Sequence, residues 1–219
     1  MKRISILFIA FFSLLISCNK DKINNTADKV GISKVTYYAN IVLTGNNVIS
    51  IVKGSTFTDP GVKATAAGKD IPVTTTGTVD NTKVGLYTLN YSATNADGFS
   101  SSASRIVVVI PSAEVAGVDL SGSYAPIGGP ASIGNASISK VAPGVYYTTN
   151  VWGGGSAAVI PAYFISTDGI SITIPLQGSA YGQLKTTAPG TYSSSGLITW
   201  SVILIDQGNL IRVKQWQKQ

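Results

Sequence analysis

Short runs of alternating apolar and polar residues follow one another along the chain from Ser33 to its end. Valine, isoleucine, threonine and tyrosine fill these runs, whereas glycine, proline, asparagine and aspartate separate them. This is the pattern of short β-strands joined by turns, and apolar residues at helical spacing are sparse. The pattern therefore predicts an all-β protein.

The first half of the chain contains seven or so predicted strands, which favours an immunoglobulin-like β-sandwich over residues 34–111. Asp59-Pro60-Gly61 predicts a tight turn, and residues 95–98 (NADG) predict a hairpin loop. In the run GLYTLNYSA, alternation directs Tyr87, Leu89, Tyr91 and Ala93 inward. The spacing from Gly85 through Tyr87 to Leu89 is typical of a tyrosine corner, so the Tyr87 hydroxyl is expected to bond back to residues 80–83.

A second β domain is predicted over residues 119–219, after a linker at 112–118. The pattern predicts three hairpins there: ASISKV/VYYTTNVW, AYFIS/ISITI and LITWSVILI/LIRVKQW. Sequential hairpins favour an antiparallel meander, either a small barrel or a curled sheet.

The N-terminus carries an export pattern. Lys2 and Arg3 precede a thirteen-residue, largely apolar run, Ile4 to Ile16, which is too short to span a bilayer and suits a signal peptide over residues 1–17. Its end, LISC, resembles the bacterial lipobox, which implies that Cys18 is acylated and anchors the protein to a membrane. The polar segment 18–33 then predicts a flexible tether. NKDK within it resembles the surface-export signal of Bacteroidota lipoproteins, so the expected location is the outer membrane, facing outward.

The composition narrows the possible chemistry. The chain has no histidine and its one cysteine is Cys18, which excludes triads that need histidine and metal sites built from cysteine or histidine. The formal net charge of +6 is scattered, so no nucleic-acid partner is predicted. The four carboxylates of the second half lie in the linker, at the domain start or in turns: Glu114, Asp119, Asp168 and Asp206. No acid/base pair is evident, so we predict no enzyme activity, no cofactor and no metal.

Aromatic residues in the second half are the binding candidates, because flat rings stack on sugars. In VYYTTNVW, one face carries Tyr146, Asn150 and Trp152, and this face is the first choice. In LIRVKQW, Trp216 lies on the same face as Arg212, and this exposed pair is the second choice. Trp200 is expected in the core. The alternative is that these rings cover a barrel end or a joint between domains.

Residues 35–110 resemble a known family. GSTFTDPGVKAT and GTVDNTKVGLYTLNYSATNADGFSSSASRIVVV together resemble the immunoglobulin-like domain of uncharacterised function in Bacteroidota surface lipoproteins. There the domain acts as a spacer or presentation module, and the resemblance implies no catalytic residue. DLSGSY and APGVYYTTNVWGG resemble its accompanying C-terminal domain, often encoded beside starch-utilisation-type glycan uptake systems.

These observations lead to several hypotheses of function. The first is a non-catalytic outer-membrane lipoprotein that binds a polysaccharide or oligosaccharide. The second is a structural or adhesive protein whose partner is another envelope protein. The third is a calycin-like barrel that binds a small apolar ligand in its mouth.

Overall fold

The computed structural model describes residues 29–30, 33–128, 133–155 and 158–219, so the predicted signal peptide and Cys18 lie outside the described residues. The chain divides into two units, residues 1–38 and 39–219. In the first unit, β1 (Lys29–Val30) pairs antiparallel with β2 (Ser33–Lys34). The limits of the anchor, tether, domains and linker stay predictions.

Two facing sheets form the first part of the second unit. One sheet has the order β3-β5-β6, with β3 at Asn40–Leu43, β5 at Val62–Ala66 and β6 at Lys69–Asp70. The other has the order β4-β9-β8-β7, with β4 at Val48–Val52, β7 at Thr74–Thr76, β8 at Gly85–Thr94 and β9 at Ser100–Ile110. β4 runs parallel to β9, whereas β8 pairs antiparallel with both β7 and β9.

Strand β8 has the predicted inward face. Leu89, Tyr91 and Ala93 are buried, and the residues between them are exposed. The Tyr87 hydroxyl donates a 2.9 Å hydrogen bond to the Lys83 carbonyl, which confirms the tyrosine corner. The hydroxyl thus ties the start of β8 to the preceding loop.

The rest of the second unit is one antiparallel sheet of nine strands. Eight of them follow the order β13-β12-β11-β10-β18-β17-β16-β14, and β15 also pairs with β16. The strands are β10 (Gly122–Pro126), β11 (Ala136–Ala142), β12 (Val145–Thr148), β13 (Ala162–Ile165), β14 (Ser171–Ile172), β15 (Gln177–Ser179), β16 (Gly182–Tyr192), β17 (Leu197–Leu204) and β18 (Leu210–Lys218). An antiparallel bridge between Ile165 and Thr173 links the end of β13 to the residue after β14, which nearly closes the sheet.

These sheets confirm an all-β protein in which an immunoglobulin-like sandwich is followed by an antiparallel, barrel-like domain. None of the described residues belongs to a helix long and apolar enough to cross a membrane. Two predicted hairpins form, β11 with β12 and β17 with β18. The third does not form as a ladder: β13 pairs with β12, β14 pairs with β16, and the single bridge is all that joins them.

Aromatic side chains fill the inside of the barrel-like sheet. The rings of Tyr146 and Phe164 stack at 5.2 Å between centroids, and Trp200 meets Phe164 at 5.8 Å. Trp200 is 1% exposed, which confirms its place in the core. Such packing does not favour a vacant interior for an apolar ligand.

An apolar junction joins the sandwich to the barrel-like sheet. Val108 and Ile110 of β9 share one buried cluster with Val145 and Ile165 of the second sheet. Residues 112–118 are also held in place, since the Val115 amide donates a 2.8 Å hydrogen bond to the Thr167 carbonyl. An ion pair of 2.8 Å from Lys140 to Glu114 adds to this contact. The two domains are therefore packed together.

Arg105 is a fully buried cation inside the sandwich. Its Nε lies 3.2 Å from an Asp59 carboxylate oxygen, and it donates to the Tyr91 hydroxyl at the same distance. Its remaining donors bond three backbone carbonyls, those of Asn46 at 2.5 Å, Thr44 at 2.8 Å and Gly61 at 2.9 Å. A buried charge is tolerated because every side of the guanidinium has a partner.

Replacing Arg105 with Met is expected to lower the free energy of unfolding by about 3–5 kcal/mol, because it removes the cation that neutralises the Asp59 carboxylate and bonds three carbonyls. Urea unfolding followed by tryptophan fluorescence measures the change. The control is Lys63→Met, which breaks the surface ion pair of 3.3 Å with Asp70 and is expected to cost at most about 1 kcal/mol. Equal losses in the two variants would contradict the role of burial.

Candidate functional site

A glycine-rich loop follows β12 at one end of the barrel-like sheet, and Asn150 holds it in place. Its Oδ1 accepts hydrogen bonds from the amides of Trp152 (3.1 Å), Gly153 (3.0 Å) and Ile160 (3.4 Å). The Asn150 side chain is buried, so these bonds satisfy amides that water does not reach. Asn150 is therefore a loop anchor, which its position in the sequence does not reveal.

Trp152 points into the core from this loop and is 3% exposed. The guanidinium carbon of Arg212 lies 5.0 Å from the ring centroid of Trp152, within the range of a cation–π contact. Nearby, the Trp200 indole donates a 2.9 Å hydrogen bond to the Val151 carbonyl. The loop is thus held by contacts with Trp200 of β17 and Arg212 of β18, in addition to the hydrogen bonds within the loop.

Lys214 lies beside the same loop. A Cβ atom added at Gly153 would be 3.0 Å from Lys214 Cδ and 3.3 Å from its Nζ, so the bare backbone allows this close approach. Among the described residues, neither Arg212 nor Lys214 has a carboxylate within ion-pair distance. We call Trp152, Gly153, Arg212 and Lys214 the cationic rim.

The predicted exposure of the candidate aromatic residues is wrong. Tyr146 and Trp216 are 0% and 1% exposed, and both belong to the same buried cluster as Trp152. The alternation along β12 is real, but its faces are reversed: Tyr146 points inward, whereas Val145 packs against the sandwich. An apolar face on the outside of the sheet serves the domain junction, which strand periodicity alone does not distinguish from a core face.

Cross-strand pairing explains why Trp216 is buried. Trp216 lies opposite Ile198 on β17, and Arg212 lies opposite Val202, so these side chains share the inward face. The aliphatic stem of Arg212 can cover apolar surface while its charged end reaches water. Ile211 and Val213 lie on the opposite face and are 53% and 66% exposed. The structure brings Arg212 and Trp152 together and leaves Trp216 inside the core.

Tyr146 has a structural partner at its hydroxyl. It donates to Glu114 Oε1 and to the Val118 carbonyl, each at 3.3 Å. Burial raises the pKa of Tyr146 well above its usual value, and the nearby Glu114 charge adds to this effect. The residue therefore ties the segment after β9 to the barrel-like sheet.

A second concave site lies in the immunoglobulin-like sandwich. It is a cleft of about 510 Å³. Its lining is mixed: hydroxyl, amide and carboxylate groups alternate with an apolar floor. The lining residues are Thr56, Phe57, Asp59, Thr75, Gly77, Thr78, Val79, Asn81 and Leu89. The sequence signals at these positions are turn and strand signals, so sequence reasoning missed the cleft.

The carboxylates of the second half are all engaged in local structure. Asp168 accepts from the amides of Ile170 (2.8 Å) and Ser171 (2.7 Å), which confirms its role in a turn. Asp119 accepts from Ser121 at 2.8 Å, and Asp206 accepts from Gln183 at 2.9 Å. Glu114 binds Lys140. Within the described ranges, no three acidic or cysteine side chains gather as a metal site would require.

Comparison with known proteins supports the fold of the first domain. Residues 41–109 match the family model described as bacterial surface protein, Ig-like domain. The observed strands of these residues agree with a domain of this kind. No curated protein matches the chain.

The solved structures that are similar to this chain include the following three. A lipoprotein from Bacteroides thetaiotaomicron is 26% identical, with 83% of this chain and 100% of that chain covered, at a TM-score of 0.42. A catalytic domain with two CBM51 domains of ZmpB from Clostridium perfringens is 15% identical, covering 77% of this chain and 15% of that one, at 0.32. CBM51-2 of ZmpB in complex with GlcNAc, with INT domains, is 16% identical, covering 74% and 29%, at 0.30. These scores are too low to transfer a site to this chain.

Trp152→Ala is expected to act on stability, because the ring is buried. Removing a buried tryptophan ring costs about 3–5 kcal/mol. Urea unfolding of the variant measures the loss, and Val159→Ala is the control, since Val159 is 50% exposed and near the same loop. A Trp152→Ala protein with unchanged stability would contradict its placement in the core.

Proposed function

We propose that the protein is a non-catalytic lipoprotein, anchored in the outer membrane through Cys18, whose C-terminal domain binds an acidic glycan at the cationic rim. The observation that carries this proposal is the pair of cations Arg212 and Lys214, which have no carboxylate partner among the described residues and lie beside the Gly153 loop and the Trp152 ring. The immunoglobulin-like domain presents this rim away from the membrane.

The chemistry of the rim favours an anionic sugar. A guanidinium binds carboxylate or sulfate oxygens through two parallel hydrogen bonds, and a lysine adds a mobile positive charge. Gly153 is buried beside the Lys214 side chain, so the loop supports this lysine and does not itself contact a ligand. A sugar ring carrying a carboxylate or sulfate can bind both cations.

The lack of an available acid/base pair supports a binding role without hydrolysis. Glycoside hydrolysis requires two carboxyl groups on either side of the scissile bond. In the second half, Glu114, Asp119, Asp168 and Asp206 are each held by hydrogen bonds or an ion pair within the fold. The chain also has no histidine to take their place.

Arg212→Gln is expected to weaken binding of polygalacturonate by about tenfold or more, because a charged hydrogen bond is lost. Affinity gel electrophoresis of the mature chain measures the retardation, which also falls as salt rises. The matched control is Lys185→Gln, which removes one positive charge from an exposed position paired with Ile203 on the outer face. Wild-type protein that passes through polygalacturonate and sulfated polysaccharide gels unretarded would overturn the proposal.

An envelope-protein partner is the second candidate, and exposed apolar side chains favour it. Ile211 and Val213 lie on the outer face of β18, 53% and 66% exposed. Under this alternative, Asn substitutions at these two positions abolish co-purification with a membrane protein, whereas Arg212→Gln does not. The reverse result supports the glycan.

Cys18→Ser is expected to move the protein from the membrane pellet to the soluble fraction and to abolish labelling by radioactive palmitate, because the chain has no other cysteine to acylate. Ser17→Ala keeps a small residue before the cysteine and is the control that retains the label. Continued membrane association of the Cys18→Ser protein would contradict the anchor.

A further inference from the structure

We propose that the cleft in the immunoglobulin-like domain is a second binding site, which takes a neutral saccharide. Its volume, about 510 Å³, falls within the ordinary range of ligand pockets. It lies on the sandwich, among residues that are separate from the cationic rim. The domain would then bind ligand itself, beyond its role as a spacer.

The cleft exists because one edge of the sandwich is incompletely covered. The edge strand β7 has three residues, all exposed, and residues 53–61 between β4 and β5 form no strand. The core beneath this edge is consequently open to solvent along Phe57 and Val79, which are half-buried, while Leu89 below them is 5% exposed. The floor of the cleft is therefore apolar and partly aromatic.

Hydroxyl and amide groups surround this apolar floor. Thr56, Thr75 and Thr78 are exposed around the opening, where their hydroxyls can both donate and accept hydrogen bonds. The Asn81 amide donates a 2.7 Å bond to the Ser55 carbonyl, which fixes its orientation beside the cleft. The lining thus offers several polar groups around a hydrophobic surface, and the Asn81 amide among them is held in orientation.

The charge in the cleft is balanced within the protein. Asp59 is its one ionised lining group, and its carboxylate is 3.2 Å from Arg105. The Tyr91 hydroxyl lies 2.9 Å from both carboxylate oxygens, and the Gly61 amide donates to one of them at 3.1 Å. Asp59 gives no advantage to a cationic ligand, because Arg105 balances its charge and its oxygens already accept hydrogen bonds. An anionic ligand would meet this carboxylate, and none of the described lining residues is a lysine or an arginine.

A neutral pyranose has the complementary chemistry. Its ring has an apolar face that can lie on Phe57, and its hydroxyls can bond with threonine hydroxyls and the asparagine amide. A peptide could instead pair with the free edge of β7, since edge strands accept added strands. The ring of hydroxyls around the opening favours the sugar over the peptide.

The test is calorimetric titration of the full mature chain with maltohexaose, cellohexaose and mannohexaose. Thr75→Trp is expected to fill the cleft. Any of these sugars that binds the wild-type protein is expected to bind this variant at least about tenfold more weakly. Thr76→Trp is the matched control, because it makes the same change on the same strand at a residue outside the lining, and it is expected to leave binding unchanged. Urea midpoints establish that both variants fold.

The outcomes separate this proposal from the acidic-glycan proposal. The cleft is supported if the wild-type protein binds a neutral sugar, Thr75→Trp abolishes this binding and Arg212→Gln leaves it intact. This holds whether or not the protein binds acidic polysaccharide. The cleft proposal is overturned if none of the three sugars binds, if both tryptophan variants behave alike, or if Thr75→Trp instead blocks an extended envelope peptide. If the cleft proposal fails in any of these ways, retardation of the protein by polygalacturonate still supports binding at the cationic rim.

Discussion

Burial of the second half of strand β9, residues 105–110, on both of its faces is the constraint on which the rest of the structure depends. Val107 points into the sandwich core, whereas Val108 and Ile110 enter the junction with Val145 and Ile165. β9 also pairs with β4 and β8 along its two edges. Because the chain after Cys18 has no cysteine and can form no disulfide, this apolar contact and the hydrogen bonds beside it hold the two domains together.

The junction also determines which surfaces remain for binding. The outer face of the barrel-like sheet is apolar at Val145 because it meets the sandwich, and the inner face is filled by aromatic residues. The cationic rim and the cleft both lie beside segments that form no regular strand. The cationic rim lies at a loop after β12, and the cleft lies at the short edge strand β7. The two differ in electrostatics: Arg212 has no carboxylate partner among the described residues, whereas Asp59 is compensated by Arg105.

Much of the architecture is predictable because it depends on local signals. The tyrosine corner at Tyr87 and the turn at Asp168 follow from residue type and spacing, and both form as expected. Strand β16 is harder to predict, because the Ala-Pro-Gly sequence within it is typical of a turn. The sheet accommodates this sequence by shifts in register around Ala188, so the strand continues through it.

The sequence by itself determined the all-β class, the sandwich and the two main hairpins, because alternation and turn chemistry act over a few residues. It also determined which residues share a strand face, such as Arg212 with Trp216. Only the tertiary structure decided which face is buried, because that depends on partners distant in the chain: Ile198 opposite Trp216, and the sandwich beside Val145. The buried charge of Arg105 and the cleft beside Asp59 arise in the same way, since they require segments that meet only in the folded protein.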